Sequence, residues 1–67
     1  MVSYRKLRIL LMDRGLKITN VCKECGVSTG IATKINKDMP IMLDVLEQIC
    51  VHLEIGVEDA VEFVKEK

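Results

Sequence analysis

The stretch Ile18-Thr19-Asn20-Val21-Cys22-Lys23-Glu24-Cys25-Gly26-Val27-Ser28-Thr29-Gly30-Ile31-Ala32-Thr33-Lys34-Ile35-Asn36-Lys37 decides the fold. It divides into two short helical patterns. The first runs from about Thr19 to Cys25, with Val21, Cys22 and Cys25 on one face, and Gly26 stops it. The second begins at Ser28, a good N-cap residue, and reaches about Asn36 with Ile31, Ala32 and Ile35 on its apolar side. Both are too short to bury much alone, and only two or three residues separate them. Gly26 can take positive φ without a Cβ clash, which a sharp turn requires. Cys22 and Ala32 are small enough to let the two helices approach closely.

Two short helices held steeply across a tight turn make a helix-turn-helix. Outward from it, a first helix is expected from about Ser3, as N-cap, to Arg14, with Tyr4, Leu7 and Leu11 in helical spacing and Gly15 ending it. Asp38-Met39-Pro40-Ile41 reads as a loop, since proline disfavours helix in the residue before it. A fourth helix is expected from Leu43 to Leu53 on the stripe Leu46, Ile49, Cys50 and Leu53. Gly56 breaks the chain, and a fifth helix is expected from about Val57 to Val64. No segment alternates with period two over more than a few residues, so the expected fold is all-α with five helices.

The segment resembles the Cro/phage-repressor helix-turn-helix family, the XRE-like regulators. Cys22 matches the small residue packed between the helices, Gly26 the turn glycine, Val27 the apolar residue after it and Ser28 the polar N-cap. Ile31 or Ala32 and then Ile35 match the core positions of the second helix. Met39 to Cys50 also looks like the family's loop and fourth helix, so the resemblance covers nearly the whole chain. It implies a single domain spanning residues 1–67 that binds double-stranded DNA as a repressor-like regulator of transcription, whether it represses or activates being left open, with the second motif helix in the major groove. The residues expected to face DNA are Ser28, Thr29, Thr33 and Lys34, at base edges or phosphates, and Gly30, which permits close backbone approach. Asn36 and Lys37 at the helix end, and Lys17 and Thr19 near the start of the preceding helix, are expected on phosphates. Three positions depart from the pattern. Ile18 stands where the family often has Gln, Gly30 where a base-reading side chain often projects, and Met42 where Ser or Thr usually caps the fourth helix.

The 67 residues suffice for one small domain, and its stability margin is thin. Net charge is zero, but residues 1–37 carry eight basic against two acidic side chains and residues 38–67 two against eight, so the halves hold +6 and −6. A basic half can face a polyanion while the acidic half repels it. Charge complementarity between the halves is the simpler alternative. The same acidic half suggests a rival function, a protein-interaction module on a helix-turn-helix scaffold.

No charge-free stretch approaches the ~20 residues of a membrane span. The N-terminus leads into a charged amphipathic segment rather than a signal core, so a cytoplasmic protein is expected. Cys22-Lys23-Glu24-Cys25 with Cys50 and His52 makes a four-ligand zinc set on paper. The expected reading is buried, reduced thiols acting as small apolar residues, with no metal and no cofactor. His52 is expected to face solvent. No nucleophile–base–orienter set or phosphate-binding glycine loop is present, so neither an enzyme nor a small-molecule effector site is expected. Ile9, Met12, Leu16, Met39, Met42 and Phe63 exceed what one small core absorbs. Ordinary surface apolarity is one account of them; a homodimer is the other, with Val61, Phe63 and Val64 of the fifth helix as its expected surface.

Overall fold

The computed structural model describes residues 1–65. Its elements, in order, are β1 (Val2–Ser3), α1 (Arg5–Asp13), α2 (Ile18–Cys25), α3 (Thr29–Asn36), α4 (Leu43–Leu53), a 3₁₀ turn (Val57–Asp59) and β2 (Glu62–Phe63). Three helices lie within two residues of the expected bounds, and α4 matches them at both ends.

The fifth helix is absent. Val57 to Asp59 make only the 3₁₀ turn, and the chain then extends as β2 to pair antiparallel with β1, Val2 opposite Phe63 and Ser3 opposite Glu62. Met1 and Val64 lengthen the ladder, the Val64 amide donating to the Met1 carbonyl at 2.7 Å. The described chain therefore has four α-helices and a two-stranded ribbon. Two residues per strand are too few to show a period of two in sequence, whereas Val57, Ala60, Val61 and Val64 imitate helical spacing. Ala60 is fully buried, so one anchor of the expected helix does reach the core.

All four helices end in the same way. The residue after each last turn is left-handed: Gly15 at φ 69°, Gly26 at φ 76°, Asp38 at φ 56° and Glu54 at φ 58°. At each end two backbone bonds close the paired pattern of a Schellman motif. The amides of Gly15 and Leu16 donate to Met12 and Leu11, those of Gly26 and Val27 to Lys23 and Cys22. Those of Asp38 and Met39 donate to Ile35 and Lys34, and those of Glu54 and Ile55 to Val51 and Cys50. α4 thus ends at Leu53, as expected, with Glu54 as its left-handed cap two residues before Gly56.

One core unites the elements. Tyr4, Leu7 and Leu11 enter from α1 and its lead-in, Ile18, Val21 and Cys22 from α2, Ala32 and Ile35 from α3, and Leu46, Ile49, Cys50 and Leu53 from α4. Ser3 does not cap α1: Tyr4 occupies that position without a side-chain cap, although the Arg5 amide donates to Ser3 Oγ at 3.3 Å. Arg14 satisfies a free carbonyl at the far end of α4, donating to Leu53 O at 2.7 Å. Ile9, Met12, Leu16, Met39, Met42 and Phe63 are all exposed.

Candidate nucleic-acid interface

The pairing of α2 with α3 sets the site. Val27 N closes the turn on Cys22 O at 2.9 Å. Cys22 is fully buried against the Ala32 backbone. Its small side chain is what the close approach of the two helices needs. Ser28 Oγ then accepts from the Gly30 amide at 3.2 Å, the N-cap expected from sequence. A turn, a small contact residue and a cap thereby fix where α3 points.

Ala32 and Ile35 hold α3 to the core, with Ile31 half-buried beside them. Thr29, Gly30, Thr33, Lys34, Asn36 and Lys37 are exposed, as is Ser28. At 100° per residue, Thr29, Gly30, Thr33 and Lys37 share one arc, with Lys34 and Asn36 at its two margins. Hydroxyls occupy its N-terminal part and ammonium groups its C-terminal part. Lys17 and Thr19 are exposed at the start of α2. No side chain caps α2, since the residue before it is Lys17. Its first amides are therefore open to an anion. Ile18 is buried, so this position serves the core rather than a polar clamp.

The basic half is thinner than the charge count implies. Arg8 Nη1 pairs with Asp38 at 2.7 Å, Lys6 lies 4.0 Å from Glu62, and Arg14 is engaged with Leu53. The first two join the basic half to the acidic half, so complementarity between the halves accounts for part of the pattern. Arg5, Lys17, Lys23, Lys34 and Lys37 hold no ion pair among the described residues. Arg5 and Lys23 were not among the expected contacts; only their charge marked them in the sequence.

Asp38 is the most connected polar side chain. Arg8 donates to it with both guanidinium nitrogens, and the Tyr4 amide donates to Oδ1 at 2.9 Å. The Arg8 bonds and then the Tyr4 amide hold its carboxyl below the usual carboxylate range. Tyr4 adds a bond from its hydroxyl to Met39 O at 2.8 Å. The lead-in to α1 is thus pinned to the end of α3.

Cys22 and Cys50 are buried and Cys25 half-buried. Burial pushes all three thiols up, away from the thiolate needed for metal binding or nucleophilic attack. Among the described residues no three His, Cys, Asp or Glu side chains converge as a metal site. His52 is exposed and meets Glu24 at 3.0 Å, a contact between α4 and α2. No helix among the described residues is long and apolar enough to cross a membrane.

A family model described as the Cro/C1-type HTH DNA-binding domain matches residues 6–66. Among solved structures, the chain is similar to one described as the crystal structure of transcriptional regulator VanUg, Form II, with a TM-score of 0.89 and 37% identity over 97% of this chain and 87% of that one. No curated protein sequence matches the chain.

Proposed function

This chain belongs to the Cro/C1-type helix-turn-helix DNA-binding domain family, and on that premise we propose that it is a sequence-specific transcriptional regulator, repressor-like, that reads duplex DNA with α3 in the major groove. The exposed arc of α3, held outward by the Gly26 turn and the Ser28 cap, carries this reading. Ser28, Thr29, Thr33 and Lys34 meet base edges, with Gly30 admitting close backbone approach. Asn36 and Lys37 contact phosphates beyond the end of α3. Lys17 and Thr19 flank a second phosphate at the uncapped start of α2. Two copies on one duplex address half-sites about 34 Å apart.

Titration of random-sequence duplexes, followed by selection of the bound ones, tests the proposal. Binding weakens steeply between about 50 and 200 mM salt, because each lysine on a phosphate releases a counterion. Lys37→Ala lowers the salt slope by about one and weakens all sequences alike, whereas Lys34→Ala also relaxes preference within the selected site. Failure to bind any duplex at low salt would sink the assignment. Salt-sensitive binding untouched by Lys34→Ala with Lys37→Ala would move the interface off α3. Stoichiometry on duplexes with one or two selected sites reads the pairing of copies.

A further inference from the structure

A groove of about 470 Å³ runs along the ribbon and under the start of α4. Ile41, Leu43, Leu46, Val57, Val61 and Phe63 form most of its wall, and none of the side chains lining it is charged. Its one side-chain hydroxyl, on Tyr4, already donates to Met39 O. A second hollow continues along α4, shares Leu43, Leu46 and Val57 with the first, and adds Glu47, Cys50 and Val51. Leu43 is 76% exposed, Val51 70% and Phe63 87%. Joined apolar surface with a polar rim marks an interaction site. A small-molecule site would bring several polar groups together to orient its ligand, and the one free polar side chain on these walls is Glu47, in the second hollow.

The rim indicates what fits. From residue 38 to residue 64 the sequence has seven acidic side chains and no Lys or Arg. Asp38 is committed to Arg8 and Glu62 lies near Lys6, whereas Glu47 and Glu58, flanking Leu43, Val51 and Val57, hold no ion pair among the described residues. A second copy lying face to face in the groove would set this acidic rim against itself, which like-charge repulsion opposes. The complementary occupant is apolar with cationic flanks.

We propose that this groove docks an amphipathic helix of another protein, with aliphatic side chains in the hollows and Lys or Arg along its edges. Such a helix offers anchors at i, i+3 or i+4, and i+7, about 10 Å of axis, suited to a groove continued along one helix. None of the nine residues assigned to DNA lines either hollow. The inference therefore stands apart from the reading of α3, and both surfaces can be occupied together.

The test titrates the full-length, isotope-labelled chain with three synthetic peptides of about 14 residues, long enough to form helix on a surface. One is a Leu/Lys amphipathic helix, one the same composition scrambled, and one the Leu/Glu counterpart. The amphipathic cationic peptide shifts amides of α4 and the ribbon, and binds at least roughly tenfold tighter than either control. Leu43→Ser with Val57→Ser, at exposed positions, costs roughly tenfold, as does Glu47→Lys with Glu58→Lys, while thermal melts show each variant folded. Equal binding of the scrambled peptide, or shifts confined to α3, overturns the proposal. A free chain that sediments as a dimer and becomes monomeric on Leu43→Ser with Val57→Ser overturns it too, by giving the groove to a second copy.

Discussion

Arg8 and Asp38 tie α1 to the end of α3: Arg8 Nη1 donates to Asp38 Oδ1 at 2.7 Å and to Ile35 O at 2.8 Å. Asp38 itself is left-handed at φ 56°, a conformation costly for most residues. Among residues with a side chain, Asp and Asn tolerate it best. Here the carboxylate also receives Arg8 and the Tyr4 amide, so one residue ends α3, anchors α1 and neutralises a cation.

The pair makes stability depend on acid. The Asp38 carboxyl is held below its ordinary value of 3.8. A lowered folded-state pKa contributes stability that is fully present above the unfolded value and lost as pH falls through the folded one. Asp38→Asn keeps the left-handed backbone accessible and removes only the charge. It should melt lower than the parent at pH 7, and the gap should narrow as pH falls below the ordinary carboxylate value. Thermal melts at a series of pH values decide it; a gap constant with pH would mean that geometry, not charge, makes the contact.

Glu54 is the contrasting case. It is left-handed at φ 58° and exposed, and its side chain makes no hydrogen bond or ion pair among the described residues. Glycine removes a left-handed penalty of about 1–2 kcal/mol at the expense of some chain entropy. Glu54→Gly should therefore stabilise by about 0.5–1 kcal/mol, raising the melting temperature by several degrees. Asp38→Gly should do the opposite, because it discards the Arg8 and Tyr4 bonds. Equal effects at the two positions would refute this division of roles.

Spacing located both of these helix ends, but the sequence does not announce the left-handed residues that follow them. Gly15 and Gly26 announce their stops because glycine is the residue that takes positive φ freely. Asp38 and Glu54 do not, since tertiary contacts or plain tolerance of strain put them there. Helical spacing located α4 at both ends, because its buried stripe is continuous. The same rule misread Val57 to Val64, where four apolar residues at helical intervals belong to a 3₁₀ turn, a core anchor and a ribbon strand. Pairing with Val2 and Ser3, some sixty residues away, decides that segment, and no local pattern carries it. The α3 arc was legible from Ser28, Ala32 and Ile35 alone. The withdrawal of Arg8 and Arg14 from the basic surface was not, because their partners lie 30 and 39 positions along the chain.

Cys22 is a packing residue, and size rather than thiol chemistry should govern its replacement. Cys22→Ala leaves a small void and should cost about 1 kcal/mol. Cys22→Leu forces α2 and α3 apart and should cost about 1–3 kcal/mol. Because the separation also tilts α3, duplex affinity of the leucine variant should fall even at temperatures where it remains folded. Melting curves with duplex titrations test this. An alanine variant worse than the leucine one would place the role of Cys22 in its sulfur.

At Gly30 stability and recognition should separate. A Cβ built there would meet only Ser28 Oγ at 3.5 Å, an ordinary contact, so alanine fits without disturbing the cap. Glycine costs a helix up to about 1 kcal/mol relative to alanine, and Gly30→Ala should stabilise by no more than that. On the proposed reading its exposed backbone lies where a base-reading side chain would otherwise project, close against the duplex. The added methyl should then lower affinity for the selected site while raising the melting temperature. Opposite signs in the two measurements are the signature of close backbone approach, since a merely structural glycine would improve or leave unchanged both. If affinity holds or rises, the duplex does not press on this turn of α3, and the contact surface begins further along the helix, at Thr33 and Lys37.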